Sequence, residues 1–357
     1  MNIHGGDVYR NKIEYDFSVS LNPLGCPDEI LDSMKGAAVK VQQYPDPLQE
    51  EVREKLAGSF GVNPENIVCG NGASELFAAI VRMVRPKTAL LPSPSFFGYE
   101  YALEMMPECR IIRHYLKEEE GFALRADILE DIDGDTDILF LCNPNNPTGR
   151  SIDPGLIHRI IEKCMHNDTY LVIDECFLEL CDNAQSMAQQ IYSYDRLIVV
   201  KAFTKLFGIP GARFGFAMAE AGTTERIKAE LSEWNISVFA EAAAKEGCKL
   251  LGKISLEEDG DEPSDFLRNT MELIGTERKF LTGELEALGL RVFSSDTCFI
   301  LFKTDAEIYA PLLNRGILIR DCSNFRGLEK GFYRVAVMDR ISNEVLIKNL
   351  KEILNGT

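Results

Sequence analysis

The sequence predicts an α/β fold: a mostly parallel, seven-stranded sheet covered by helices, followed by a smaller α+β part. Three observations predict it. From about residue 48 to 250, short apolar runs alternate with segments of helical period. Those runs are almost continuously apolar, as strands are when both faces of a sheet are covered. After about residue 250 the pattern changes to one long polar helix, scattered strand-like runs and a final helix.

The seven strand-like runs are 67–69, 88–91, 110–115, 138–142, 170–173, 197–200 and 214–218. Segments 74–84 and 154–166 carry the helical period between them. Beyond 250, the polar stretch 256–264 leads into a helix over 265–288, which Gly289 is placed to end. Strand-like runs follow at 298–302, 317–319 and 332–337, and a last helix at 343–354. The first 45 residues are rich in Gly, Pro and Asn and cannot form a core alone. The expected division is an N-terminal segment over 1–45 packing on both other parts, a large part over 46–252 and a small part over 253–357.

Composition sets outer bounds. Apolar residues make up 45% of the 357 and charged residues 26%, the balance of a globular chain. With 38 basic and 56 acidic residues the net charge is −18, which argues against a nucleic-acid surface. It leaves room for a locally basic pocket that takes a small anion. The acidic stretches 118–120 and 257–265 are expected to be solvated loops or helix ends. No apolar run is long enough to span a membrane, and the start lacks the basic and apolar segments of a secretory signal. The ten cysteines are scattered without a C-x-x-C pair, and Cys142 and Cys298 sit in apolar runs. A reduced, cytoplasmic protein uses cysteine that way. The four dispersed histidines show no metal-ligand spacing, so no metal is expected.

Four segments carry candidate chemistry. In Val200 to Gly215 a strand ends, Thr204-Lys205 follows, and a Gly/Pro turn leads to Arg213. A buried lysine there is a nucleophile toward a carbonyl, because desolvation lowers its pKa; a loop lysine is the plainer reading. Cys142-Asn143-Pro144-Asn145-Asn146-Pro147-Thr148-Gly149 breaks a strand sharply and places Asn146 where α/β sheets bind ligands. Alternatively it is only a turn. Asp174-Glu175 closes a strand, as a partner for a protonated ring nitrogen or as a helix cap. Gly70-Asn71-Gly72-Ala73-Ser74-Glu75 joins strand to helix, as an anion cradle or a tight turn. It is not G-x-G-x-x-G, so a nicotinamide cofactor fits poorly.

In this order and at these separations, the four segments resemble the fold-type-I pyridoxal-phosphate enzymes, in the class I/II aminotransferase branch. The resemblance runs over nearly the whole chain. It implies the type I PLP-dependent transferase fold and pyridoxal 5'-phosphate as cofactor. It implies that Lys205 holds the cofactor covalently and shuttles protons, that Asp174 faces the pyridine nitrogen, and that Asn146 donates to the ring oxygen. Phe96 matches the stacking aromatic. Backbone at Gly72, Ala73 and Ser74, with Thr204 and Arg213, matches the phosphate site. Tyr44 matches a tyrosine that reaches the phosphate from a neighbouring subunit, which implies a homodimer. Arg334 matches the arginine that forks a substrate carboxylate.

Within the family the chain is similar to two subgroups, histidinol-phosphate aminotransferase and threonine-phosphate decarboxylase of cobalamin assembly. The second is favoured by His4-Gly5-Gly6 with Ser20 to Gly25, by the turn 208–211, by the stretch Gly316 to Gly327, and by Phe177. Aminotransferases usually carry at Phe177's position a tyrosine that donates to the ring oxygen. His4, Gly5, Asn22 and Arg320 would then meet the phosphate and carboxylate of a small phosphorylated amino acid. Arg326 reads as a further contact or as a surface ion pair. Departures from the pattern are Cys176 in place of alanine, Cys298 in place of asparagine, and Glu233 where proline is common. A non-catalytic binding module on the same fold is a remote alternative. The joint presence of Lys205, Asp174, Asn146 and Arg213 argues against it.

Overall fold

The computed structural model describes residues 5–182, 185–252 and 264–356. His4 and most of the acidic stretch 257–265 lie outside the described residues. In chain order the strands are β1 (Tyr15–Asp16), β2 (Ile67–Gly70), β3 (Thr88–Ser93), β4 (Arg110–Tyr115), β5 (Ile138–Cys142), β6 (Tyr170–Asp174) and β7 (Leu197–Ala202). They continue as β8 (Gly215–Met218), β9 (Arg291–Val292), β10 (Phe299–Lys303), β11 (Ile317–Leu318), β12 (Arg320–Asp321) and β13 (Phe332–Ala336).

Seven of these form one sheet in the order β2-β8-β7-β6-β5-β3-β4. Every neighbouring pair is parallel except those of β8, which runs against both β2 and β7. Strands β2, β3, β5 and β7 are buried along their whole length. This is why the sequence shows continuous apolar runs and not alternation. Register sets the site. Cys142 pairs with Asp174, and Asp174 with Val200, so β5, β6 and β7 end side by side. From β3 the chain passes outward to β4, while β5, β6 and β7 build the other way. The loops after β3 and β5 therefore diverge at a switch point, where open α/β sheets leave a crevice.

The helix Ala73–Val84 follows β2 and buries Leu76, Phe77, Ala79, Ile80 and Val81 on the sheet. Its entry residue, Gly72, has φ +74, and a Cβ there would strike the Arg213 guanidinium. Only glycine combines that backbone with that approach.

The second sheet is antiparallel, in the order β12-β13-β10-β9. The helices Asp265–Ala287 and Arg340–Asn355 pack on it through Leu281, Leu285, Leu346 and Leu350. The last helix starts three residues before the predicted position, because the Asp339 carboxylate accepts from Ser342 N–H and caps it. The chain start reaches both sheets. β1 pairs in parallel with β11, and Phe17 is fully buried in the small core. Further on, Asn22 N–H donates to the Lys205 carbonyl at 3.0 Å. The stretch Glu118–Glu120 is a short 3-10 turn and not a free loop, since Glu118 pairs with Arg291 at 2.6 Å and with Lys303 at 3.1 Å. No helix among the described residues is long and apolar enough to cross a membrane.

Beneath the strand ends lies a buried ion triad. Lys201 Nζ sits 2.9 Å from Glu175 and 2.6 Å from Glu179. Glu175 is wholly buried and also accepts from Met187 N–H and the Ser186 hydroxyl. Breaking such a cluster by removing one partner costs more than its net contribution, because the other charge stays buried. Lys201→Met is therefore expected to lose about 3–5 kcal/mol of unfolding free energy in urea denaturation.

Candidate active site

The ends of β3, β5, β6 and β7 open into a cavity of about 350 Å³, which the small sheet and the chain start close from the other side. Lys205 stands in a one-turn helix, Phe203–Leu206, directly after β7. It is half-buried, lines the cavity, and has no ion pair among the described residues. Desolvation, then the positive charges of Arg334 and Arg213, hold its amine below the ordinary lysine range. Lys201, four residues earlier, is the opposite case: two carboxylates hold its proton tightly and raise its pKa. The fold thus leaves one lysine of this segment available for attack on a carbonyl.

Asp174 ends β6 and is buried. Its Oδ2 accepts from the Tyr99 hydroxyl at 2.6 Å and its Oδ1 from Cys176 N–H at 3.0 Å. Burial pushes its pKa up, and these two hydrogen bonds and the charge of Lys205 oppose the push. Tyr99 escaped the sequence reading. It lies three residues after Phe96, whose ring meets it edge-on at 5.5 Å. A tyrosine in a short helix carries no signal of its own that it will turn inward onto a carboxylate.

Asn146 lines the cavity, and its Oδ1 accepts from Arg334. That leaves the amide NH₂ as the end free to donate. Ala73, Ser74, Thr204 and Arg213 also line the cavity. Arg213 rests on the carbonyls of Pro210 and Asn71 at 3.3 and 3.4 Å and has no carboxylate partner among the described residues. With the N-terminus of Ala73–Val84 it makes a cationic cradle of donors. Gly72 does not itself line the cavity; it makes room for Arg213. Phe177 lines the wall, with its ring centroid 5.7 Å from the Lys205 amine.

Arg320 and Arg334 face each other across paired strands β12 and β13. Both are buried, both line the cavity, and neither has a carboxylate partner among the described residues. Arg334 Nη2 donates to the Ser18 carbonyl at 3.0 Å, while its Nε is buried without a partner. Arg320 Nη2 donates to Asn324 at 2.8 Å. Gly5 also lines the cavity.

Two expectations are met differently. Asn22 is not on the cavity. Its amide donates to the Leu206 carbonyl at 2.8 Å and the Thr270 hydroxyl at 2.9 Å, and its oxygen accepts from Leu24 N–H, so it is a buried tie and has no free group for substrate. Tyr44 is 79% exposed and stacks on Trp234 at 4.5 Å, away from the cavity of its own chain.

These features fit pyridoxal phosphate. An unpaired amine adjoins a buried carboxylate, a carboxylate-free cradle suits a phosphate, and the Ser95 hydroxyl and Arg334 Nε are buried polar atoms still without partners. The profile of aminotransferase classes I and II matches residues 12–350. The chain belongs to this family of pyridoxal-phosphate enzymes. A histidinol-phosphate aminotransferase of Thermoanaerobacter sp. is 32% identical over 356 residues, 98% of this chain and 95% of that one. A threonine-phosphate decarboxylase of Salmonella typhimurium is 28% identical over 346 residues, 96% and 91% of the two chains. The crystal structure of the histidinol-phosphate aminotransferase from Clostridium acetobutylicum superposes with a TM-score of 0.85 at 28% identity, covering 96% of this chain and 100% of that one.

Two measurements probe the geometry. The folded pKa of Lys205 lies below 10.5, so charging it costs folding free energy. That cost is full below the folded value and absent above the ordinary one. Lys205→Met apoprotein should therefore melt higher than the parent at pH 7, with the advantage fading as pH nears 10.5. Tyr99→Phe removes the hydrogen bond that positions the Asp174 carboxyl. It should weaken cofactor binding by about 10- to 100-fold in an absorbance titration.

Proposed function

We propose that this protein is an L-threonine O-3-phosphate decarboxylase, working as a cytoplasmic homodimer. The observation that carries the reading is the Arg320–Arg334 pair, two buried guanidiniums without carboxylates in a chain of net charge −18. Threonine phosphate brings two anions, a carboxylate and a phosphate, on one small skeleton. Burying arginines unpaired is costly, and a doubly anionic substrate offsets that cost.

Bound pyridoxal phosphate supplies an electron sink for the pair left behind when a bond at the substrate α-carbon breaks. The chain's residues do the rest. Lys205 offers an amine whose pKa burial lowers for covalent attachment, and afterwards it would carry a proton to or from the α-carbon. Asp174, fixed by its hydrogen bonds from Tyr99 and Cys176 N–H, would face the pyridine nitrogen. Phe96 covers the ring, and Asn146 donates to its oxygen. Phe177 adds no second donor there. Arg213, Thr204 and the backbone of Ala73 and Ser74 hold the cofactor phosphate, joined by Tyr44 of the second subunit. Arg320 and Arg334, with Gly5 at the wall, orient the substrate anions. Residues 46–252 thus carry the cofactor, 253–357 bring the arginines, and 1–45 strap the two together.

Orientation selects the reaction. If the substrate carboxylate is the group presented to the bound cofactor's electron sink, it would leave as carbon dioxide, and Lys205 would give a proton to the α-carbon in its place. If the α-hydrogen is presented instead, Lys205 would take that proton and the reaction would be a transamination. The 32% identity to a histidinol-phosphate aminotransferase over 98% of this chain supports the second reading.

A product assay separates them. Cofactor-loaded protein is given threonine phosphate alone, and in parallel histidinol phosphate with 2-oxoglutarate. Carbon dioxide and aminopropanol phosphate over many turnovers in the first mixture are expected. Glutamate in the second with the first inert would replace the decarboxylase by the aminotransferase. Lys205→Ala should abolish turnover in either mixture and the borohydride-trapped protein–cofactor adduct.

A further inference from the structure

Arg326 and Glu100 meet at the cavity wall, and neither belongs to the machinery above. Arg326 Nε and Nη2 both reach one oxygen of Glu100, Oε1, at 3.3 Å. The same oxygen accepts from Arg113 Nη2 at 2.8 Å. One carboxylate oxygen thus serves two guanidiniums, and no group among the described residues donates to Oε2. The two arginines are held unequally. Arg113 has the shorter contact and a side chain 23% exposed, whereas the Arg326 side chain is 62% exposed. Both Glu100 and Arg326 line the cavity, beside Arg320 and Asn324.

The backbone next to Arg326 is pinned. Gly327 has φ +85, and a Cβ there would lie 3.3 Å from the Ser93 carbonyl and 3.2 Å from the Tyr115 ring. The loop is thereby seated against the end of β3, which fixes the backbone that carries the exposed Arg326 side chain. An ion pair whose arginine is exposed, and whose buried carboxylate keeps a second, closer arginine, is cheap to exchange. Its planar fork of donors suits a phosphate better than a single carboxylate oxygen at 3.3 Å.

We infer that Arg326 is a third anion contact of the substrate site, parked on Glu100 until the phosphate of the substrate takes it. Glu100 is then a positioning residue. It keeps Arg326 at the cavity wall between turnovers, and Arg113 continues to neutralise it when Arg326 leaves. This rests on the reading that the substrate is phosphorylated, whichever of the two reactions it undergoes.

The test is calorimetric binding of ethylphosphonate to the holoenzyme. This probe carries the anion without an amine to react at the cofactor. Arg326→Gln, on an exposed side chain, should weaken binding by about 10- to 100-fold, and Arg326→Lys should recover part of it. Glu100→Gln should tighten binding by about 2- to 5-fold, the worth of the pair it removes. In the Arg326→Gln background the same change should do nothing. Unchanged binding in Arg326→Gln, or weakening by Glu100→Gln as large as that by Arg326→Gln, would overturn the inference and leave the substrate reading standing. No ethylphosphonate binding by the parent holoenzyme, with no turnover of either phosphorylated substrate, would overturn the reading itself.

Discussion

A lysine amine without a carboxylate, at the shared ends of three parallel strands, is the feature on which the rest of the site depends. The register Cys142–Asp174–Val200 puts the exits of β5, β6 and β7 in one row. Asn146, Asp174 and Lys205 then converge although 28 and 31 residues separate them along the chain. Parallel pairing makes this possible, because each strand must return through a crossover and so ends on the same side as its neighbour. The antiparallel β8 brings the chain back from Lys205, so that Arg213 lies beside Gly72 at the end of β2.

Charge is distributed against the average of the molecule. The chain is strongly acidic, yet its cavity gathers Lys205, Arg213, Arg320, Arg326 and Arg334. Of these, only Arg326 has a carboxylate partner among the described residues. Lys201, facing away, is fully neutralised by Glu175 and Glu179. Buried charge is normally paired, so an unpaired cluster marks where external anions belong. Burial lowers the Lys205 pKa most, and two of these cations, Arg334 and Arg213, lower it further, so the residues that would bind anions also bear on amine reactivity.

Much of this is legible without coordinates. The buried strands β2, β3, β5 and β7 announce themselves as apolar runs, and the segment around Lys205 reads as a strand end with a reactive group. The residues that escaped are those whose role comes from a distant partner. Tyr99 matters because it turns onto Asp174, 75 residues away. Glu100 matters because the chain folds Arg326 against it, 226 residues on. Asn22 was misread for the same reason: its short motif resembles a ligand contact, but its amide is spent on Leu206 and Thr270. Local signals were also overridden at the last helix, where the Asp339 cap moved the start to Arg340.

The sequence by itself determined the class of fold, the family and the chemistry available at Lys205, because periodicity and short motifs are local properties of the chain. The tertiary structure alone decided which lysine is free and which is locked, that Asp174 is held by Tyr99, and that two arginines stand opposite each other without carboxylates. Those facts depend on desolvation and on distances between groups far apart in sequence. Both are fixed only when the sheet register and the packing of the small sheet against the large one bring the groups together.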